Sequence, residues 1–136
     1  MPEVTNDTNL NFKEWYIEIP NINLKATISE GTSKEIMDKF VGHFEETSKT
    51  NGNIGLAAHN RGYENNYFAG LKKLKEGDKI FYTYENYKKT YLVTKHIIIE
   101  NTDWTHLENT ENDTITLITC VENEPKYRRC IQGEEI

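Results

Sequence analysis

The segment Thr114-Ile115-Thr116-Leu117-Ile118-Thr119-Cys120 gives the strongest indication of a β-strand in the chain. Every residue before the cysteine is β-branched or leucine, and such side chains suit the pleated, half-buried surface of a strand. Val121 and the polar residues 122–125 follow, and we expect the strand to end there. The segment therefore predicts a buried strand that carries the thiol of Cys120 at its tip, where a rigid scaffold presents reactive groups to solvent.

Cys120 also has a simpler interpretation. Free cysteine is among the most buried residue types, so most strand cysteines are small core residues. Whether this one is reactive depends on the groups that the rest of the chain brings to it.

Composition limits the classes of protein that fit. The 136 residues suffice for one domain with a single core. An excess of 22 acidic over 16 basic residues, for a net charge of −6, argues against a nucleic-acid-binding protein. Two cysteines are too few for a typical secreted disulfide scaffold, and no Cys-x-x-Cys or His-x-x-x-His spacing is present. We therefore predict no metal and no cofactor.

The N-terminal residues 1–11 are polar and are interpreted as a linker, which leaves residues 12–136 as the folded domain. No apolar run approaches the roughly 18 residues that cross a bilayer, and no signal peptide is recognisable. The sequence is thus expected to be a cytosolic protein or the soluble part of a longer one.

The remaining pattern is typical of a mainly β protein without βαβ rhythm or repeats. Seven strands are predicted: Phe12–Ile19, Asn21–Ile28, Gly55–His59, Lys79–Tyr84, Lys88–Glu100, Thr114–Cys120 and Arg128–Glu134. Two short helices are predicted at Lys34–Phe40 and Phe68–Leu74, and a long loop at Asn101–Asp113. Because closure removes exposed strand edges, we expect a closed or nearly closed β-barrel of seven or eight strands.

A thiol needs a base, and four histidines are available. His59 ends a strand of small residues and precedes a Gly/Asn-rich turn, so it too is expected at a sheet rim. His96 lies in mid-strand, His106 in the long loop, and His43 after the first helix without distinctive neighbours. No carboxylate is evident in the sequence to orient the histidine.

Two arginines, Arg128 and Arg129, follow the cysteine strand, with seven residues between Cys120 and Arg128. An arginine's fixed fork of donors can stabilise the oxyanion formed when a thiol attacks an amide. Side chains alternate along a strand, so only one of the two can face the site. The binary pattern slightly favours Arg129, since Cys130 is a good core residue, and leaves the choice open.

The segment Thr116-Leu117-Ile118-Thr119-Cys120 resembles the Thr-Leu-x-Thr-Cys motif of the sortases, the cysteine transpeptidases with which Gram-positive bacteria attach proteins to the cell wall or build pili. Two further groups of residues are similar to the family in order and spacing. The first is Ala57-Ala58-His59, and the second is Phe68-Ala69-Gly70-Leu71 followed by Leu74-Lys75-Glu76-Gly77-Asp78.

The resemblance implies catalytic roles for His59, Cys120 and Arg128. It favours Arg128 because the family's arginine commonly precedes a small residue by five positions, as Arg128 precedes Gly133. Ile118, Thr119 and Cys130 are the candidate substrate-binding residues.

The implied reaction begins when Cys120 attacks the Thr carbonyl of a Leu-Pro-x-Thr-Gly-like sorting signal and forms a thioester. The expected partners are this peptide and an amine from a peptidoglycan precursor or a pilin lysine. The expected location is the extracellular face of the cell membrane, through an N-terminal anchor that this sequence does not show. Two alternatives stay open: a cysteine hydrolase without transfer, and a β-barrel binding module with an inert Cys120.

Overall fold

The computed structural model describes residues 14–136, which form a closed barrel of eight strands. The strands are β1 (Trp15–Ile19), β2 (Leu24–Glu30), β3 (Val41–His43), β4 (Asn53–Ala57), β5 (Lys79–Tyr84), β6 (Tyr87–Glu100), β7 (Thr114–Val121) and β8 (Glu124–Glu135). Their order around the barrel is β1-β2-β3-β4-β7-β8-β6-β5, and β5 pairs with β1 to close it. The predicted mainly β barrel is confirmed. The linker at residues 1–11 and the first two residues of the strand predicted at Phe12–Ile19 lie outside the described part.

Helical structure is sparse. One α-helix, α1 (Lys34–Met37), follows β2, and single 3-10 turns occupy Pro20–Ile22, Leu71–Lys73 and Thr105–Leu107. The Ser33 side chain accepts a hydrogen bond from the backbone N–H of Ile36 and caps α1. No helix within residues 14–136 has the length and apolarity to cross a membrane.

The barrel interior is filled by alternate residues of the strands. Ile17, Ile19, Leu56, Leu117 and Ile131 are fully buried there. The alternation extends through β7, but its outward residues Thr114, Thr116 and Ile118 are buried as well, because a second apolar cluster and the neighbouring loop cover that face up to Cys120. Burial on both faces is the reason that β7 contains no charged side chain.

Several predicted boundaries were wrong near the N-terminal half. The strand predicted at Asn21–Ile28 begins only at Leu24, because Pro20 starts a 3-10 turn that ends at Asn23 with φ of 55°. The first helix stops at Met37 instead of Phe40. The residues Val41–His43 form a strand, β3, that the sequence reading missed: it is three residues long, too short to show a periodic pattern.

Two further boundaries differ from expectation. The segment Phe68–Leu74 contains only a 3-10 turn, although its three apolar residues are buried as predicted. The polar run after Val121 is not an extended loop but a tight turn, since β8 already begins at Glu124. A bulge between Cys120 and Val121 accommodates Pro125, which cannot donate a backbone hydrogen bond to the ladder.

Candidate active site

Cys120 lies near the end of β7, which pairs with β4 on one side and β8 on the other. Its side chain is exposed, whereas Cys130 on β8 is fully buried. The interpretation of a small core cysteine therefore describes Cys130 and not Cys120. Both thiols are free.

His59 reaches the same rim because β4 and β7 run parallel, so both strands end there. The strand itself stops at Ala57, two residues earlier than predicted. Beyond it, the Thr119 hydroxyl donates to the Ala58 carbonyl at 2.7 Å, and the Asn60 amide donates to the Cys120 carbonyl at 3.0 Å. These two bonds fix the segment that carries the imidazole against the strand that carries the thiol.

The imidazole of His59 is 9% exposed and has two close neighbours that sequence reasoning did not identify. Its Nε2 lies 3.0 Å from Oδ1 of Asp38, the residue that ends α1. The Tyr63 ring stacks on the imidazole at a centroid distance of 3.7 Å and an interplanar angle of 11°. The sequence revealed no carboxylate next to the histidine, but the folded site supplies one, that of Asp38.

Asp38 is itself held in place. Its Oδ2 accepts a hydrogen bond from Nζ of Lys34 at 3.1 Å, and its backbone carbonyl accepts one from the Asn65 amide at 2.8 Å. The hydrogen bond from Lys34 is the main cause that lowers the pKa of the Asp38 carboxyl, with His59 adding to it. The carboxylate is therefore ionised across the neutral pH range.

Arg128 lies directly opposite Cys120 in the β7–β8 ladder. Directly paired residues of antiparallel strands point to the same face, so the guanidinium and the thiol share one side of the sheet. Nη1 of Arg128 donates to the backbone carbonyls of Pro125 at 3.0 Å and Tyr127 at 2.8 Å.

Arg129 points to the other face. Its Nη1 lies 2.6 Å from Nε2 of His96, whose Nδ1 lies 2.7 Å from the Leu74 carbonyl. Since a carbonyl can only accept, Nδ1 of His96 carries its hydrogen and Nε2 accepts from the guanidinium. The structure therefore brings Arg128, and not Arg129, to the side of the sheet that carries Cys120.

A cavity of about 260 Å³ opens beside the three residues, and His59, Cys120 and Arg128 all line it. Its other lining is largely apolar and comes from Met37, Phe44, Ala57, Ile99, Leu107 and Ile118, among others. Such a pocket suits an apolar ligand segment with polar groups at one end.

The predicted substrate-binding residues lie in different places around this cavity. Ile118 lines it directly. Thr119 also lines it, but its hydroxyl is bonded to the Ala58 carbonyl. Cys130 packs beneath the floor in a cluster with Ala57, Ile99 and Ile118, and burial raises the pKa of its thiol to about 12.

One wall of the cavity is the β6–β7 loop (residues 101–113), the long loop predicted from the sequence. Asn53 of β4 donates to its carbonyls at His106 and Glu108, at 2.8 and 2.9 Å, and Gln132 donates to the His106 carbonyl at 3.1 Å. A Cβ at Gly55 would lie 2.7 Å from Cδ2 of Leu107, so any larger residue there would force the Leu107 side chain to shift. The inner half of the loop is therefore anchored, while Trp104 is 59% exposed.

The other two histidines, His43 and His106, have other partners. His43 is fully buried between the Glu30 carboxylate and the Ser48 carbonyl. His106 lies in the loop wall with Asp103 at 3.8 Å. Among residues 14–136, no group of three or more histidine, cysteine or acidic side chains is arranged to hold a metal ion.

Comparison with known proteins identifies the family to which this barrel belongs. A family model described as "Sortase domain" matches residues 17–136. That match covers nearly the whole chain, and the chain belongs to the sortase family.

Among individual relatives, the chain is 32% identical over 122 residues to Sortase A of Bacillus anthracis, covering 88% of this chain and 58% of that protein. It is 30% identical over 128 residues to Sortase D of Bacillus subtilis, covering 88% of this chain and 62% of that protein. The chain thus spans about three fifths of the length of these relatives.

Solved structures agree. The pilus-related Sortase C of Group B Streptococcus superposes with a TM-score of 0.85 at 29% identity, covering 91% of this chain and 67% of that one. Sortase C1 of Streptococcus suis gives a TM-score of 0.85 at 30% identity, covering 98% and 78% respectively.

Proposed function

We propose that this chain is a sortase-type cysteine transpeptidase in which Cys120 is the nucleophile, His59 the general acid and base, and Arg128 the oxyanion-stabilising residue. The observation that carries the proposal is that these three side chains, from β7, the end of β4 and β8, line one cavity. Membership of the sortase family supports it.

The first step is acylation. The Cys120 thiol gives its proton to His59 while its sulfur attacks the carbonyl carbon of the scissile amide. Because Nε2 of His59 faces the Asp38 carboxylate, Nδ1 is the nitrogen that accepts this proton. The carbonyl oxygen becomes an oxyanion, and the donors of Arg128 stabilise it.

Collapse of the tetrahedral intermediate breaks the C–N bond and leaves a thioester on Cys120. The leaving amine takes the proton from His59. In the second step an acceptor amine attacks the thioester, His59 removes its extra proton, and the Cys120 thiol is restored. Transfer therefore consumes one amide and forms another with no external energy source.

The acyl donor is proposed to be an extended sorting-signal peptide of the Leu-Pro-x-Thr-Gly type. The apolar floor at Ile118 and Ile99 and the wall at Leu107 suit a Leu-Pro segment, while the polar end of the cavity at Cys120 and Arg128 meets the Thr carbonyl.

The acceptor is proposed to reach the thioester from a second opening of about 550 Å³ that Cys120 and His59 also line. This opening lies between Tyr63 and Arg61 on one side and the β7–β8 turn at Glu122 on the other. Its lining is more strongly charged than the groove. A polar amine donor, from a peptidoglycan precursor or a pilin lysine, fits it better than a second apolar peptide. Such substrates lie at the extracellular face of the cell membrane, where we propose that the protein acts.

A peptide assay with an added amine tests the proposal. The chain is incubated with a fluorescent Leu-Pro-x-Thr-Gly peptide, with and without triglycine, and the products are identified by mass spectrometry. The expected result is a thioester adduct on Cys120 and a ligated product when triglycine is present. Cleavage without ligation would favour the cysteine hydrolase, and the absence of both adduct and cleavage would contradict the proposal.

A further inference from the structure

The cluster on the solvent side of His59 is not used by a mechanism that consists only of thiol, imidazole and guanidinium. It contains the carboxylate of Asp38, the ammonium of Lys34 and the ring of Tyr63. All three lie within contact of one another or of the imidazole, and none of them touches the groove floor described above.

The contact between Asp38 and His59 has a definite chemical consequence. An ionised carboxylate can only accept hydrogen bonds, so the nitrogen that faces it must carry a hydrogen. At 3.0 Å, Nε2 of His59 is therefore the protonated nitrogen of the neutral ring, and Nδ1 keeps its lone pair. A neutral imidazole in the opposite tautomer could not accept the Cys120 proton through Nδ1.

The ring is held in orientation as well as in tautomer. Tyr63 stacks on it almost in parallel, at 11°, and Nζ of Lys34 lies 5.4 Å from the centroid of that tyrosine ring. Lys34 also bonds the second carboxylate oxygen of Asp38, and the Asn65 amide holds its backbone. Each member of the cluster thus restrains another.

We propose that Asp38 is a positioning residue for the general base: it selects the tautomer of His59 that has a free Nδ1, and it stabilises the imidazolium that forms when the thiol proton is transferred. Asp38 acts through His59 and does not touch the substrate. The role rests on the proposed function, since it presupposes that His59 is the base.

The charges around the imidazole favour this role. Asp38 is the carboxylate in direct contact with the imidazole. The two cavities that His59 lines also contain three basic side chains (Lys34, Arg61 and Arg128) and four acidic ones (Glu100, Asp103, Glu122 and Glu124). The carboxylate of Asp38 is 36% exposed, so water moderates its field. The choice of tautomer of His59 depends on a direct hydrogen bond to Asp38, and water weakens this bond much less than it weakens the longer-range field.

Two measurements test the inference independently. The first is the tautomer of His59, read from long-range ¹H–¹⁵N correlations of histidine-labelled protein at a pH where the ring is neutral. The expected spectrum shows a protonated Nε2 in the wild type and a mixture of tautomers in Asp38→Ala. A protonated Nδ1 in the wild type, or an unchanged spectrum in the folded variant, would overturn the inference.

The second measurement is the kinetics of transfer. We expect kcat to fall about tenfold to a hundredfold in Asp38→Ala, with little change in KM. Asp38→Asn is expected to recover part of the loss, because the amide oxygen still accepts from Nε2 but carries no charge. Glu35→Gln, on the same helix and exposed, removes one negative charge without contact to His59 and should match the wild type.

Equal kcat values in the wild type and in a folded Asp38→Ala would refute the positioning role. If the wild type itself does not form a thioester, the proposed function fails, and the tautomer measurement still decides whether Asp38 controls the ring. The two failures are therefore distinguishable.

Discussion

Two cysteines on the same face of neighbouring strands show how strongly environment separates identical side chains. Cys120 pairs with Arg128, and Cys130 pairs with Ile118 two positions away along the ladder. Cys120 is exposed at the rim, whereas burial raises the pKa of Cys130 to about 12, so the latter stays a neutral thiol at physiological pH. The difference in exposure between the two thiols follows from position along the strand and not from residue type.

This contrast predicts the outcome of thiol titration. In the folded protein, a thiol reagent such as iodoacetamide at pH 8 should modify Cys120 and leave Cys130 untouched. In denaturant both should react. Peptide mapping by mass spectrometry assigns the sites, and Cys120→Ala should show no modification when folded. Rapid labelling of Cys130 in native protein would contradict the burial on which the prediction depends.

The two arginines give a second prediction at this scale. Arg128→Ala should lower kcat/KM by an amount that corresponds to about 3 kcal/mol of lost transition-state stabilisation. Arg128→Lys should recover little of it, because a lysine lacks the fork of donors. Arg129→Ala is expected to cost far less, since that side chain bonds His96 on the opposite face. The ratio of the two kcat/KM values for one peptide decides, and a larger loss in folded Arg129→Ala would reverse the assignment.

Much of the site could be predicted from single residues in the sequence, but not all of it. Cys120 is recognisable because it lies at the end of a strongly marked strand, whereas the choice of His59 among four histidines and of Arg128 over Arg129 depended on the resemblance to the sortases. The pairing of Lys34 with Asp38 has the ordinary four-residue spacing of a helix. The contact of Asp38 with His59 could not be predicted, because it spans 21 residues and depends on the unrecognised strand β3 between them.

At the scale of elements, β4 contacts both β7, which carries Cys120, and the β6–β7 loop, which forms one wall of the cavity. Asn53 is 1% exposed, and its amide donates to two carbonyls of the β6–β7 loop, while the Gly55 position lets Leu107 of the same loop approach. The sequence predicted this loop from its length alone, and length does not show which residues of β4 hold the loop in place. Its anchoring depends on buried polar contacts that no periodic pattern reveals.

Asn53→Ala should therefore loosen the groove wall. The Glu108 carbonyl loses its donor, and we expect a loss of about 2 kcal/mol in unfolding free energy. KM for the peptide should rise more than kcat falls, since the loosened β6–β7 loop carries none of the three proposed catalytic residues. Denaturant unfolding and steady-state kinetics measure both effects. Asn112→Ala, an exposed asparagine in the same loop, is the matched control and should change neither. Unchanged values in Asn53→Ala would show that the other anchors suffice.

At the scale of the whole molecule, several ionisable groups are buried as neutral species. Burial raises the pKa of Tyr82 and Tyr91 in the barrel interior and that of Cys130 beneath the groove. An unfolded chain releases the thiol proton near pH 8.5 and tyrosine protons near pH 10. Above those values the folded state holds more protons than the unfolded state, so the free energy of unfolding must fall as pH rises.

The expected size of this effect is measurable. Each such group lowers the free energy of unfolding by about 1.4 kcal/mol per pH unit once the unfolded form has titrated. Between pH 8.5 and 10 the thiol of Cys130 should dominate. Urea unfolding across this range gives the slope, and Cys130→Ala should be flatter even if it is less stable overall. An identical slope in that variant would show that Cys130 is not the group responsible.

The strand order of the closed barrel also fixes when a growing chain can assemble the candidate site. β8, which supplies Arg128, pairs with both β6 and β7, and β7 has no other neighbour on that side. A chain that has emerged only as far as β7 therefore holds both the thiol and the histidine but leaves one edge of the thiol strand without its partner. Because strands far apart in sequence must pair before the barrel closes, the chain is expected to fold more slowly than a helical protein of similar length. Translation thus delivers the proposed nucleophile before the strand that carries Arg128, and a ribosome-stalled chain lacking β8 should carry a Cys120 thiol that can be labelled but is not acylated by a sorting-signal peptide.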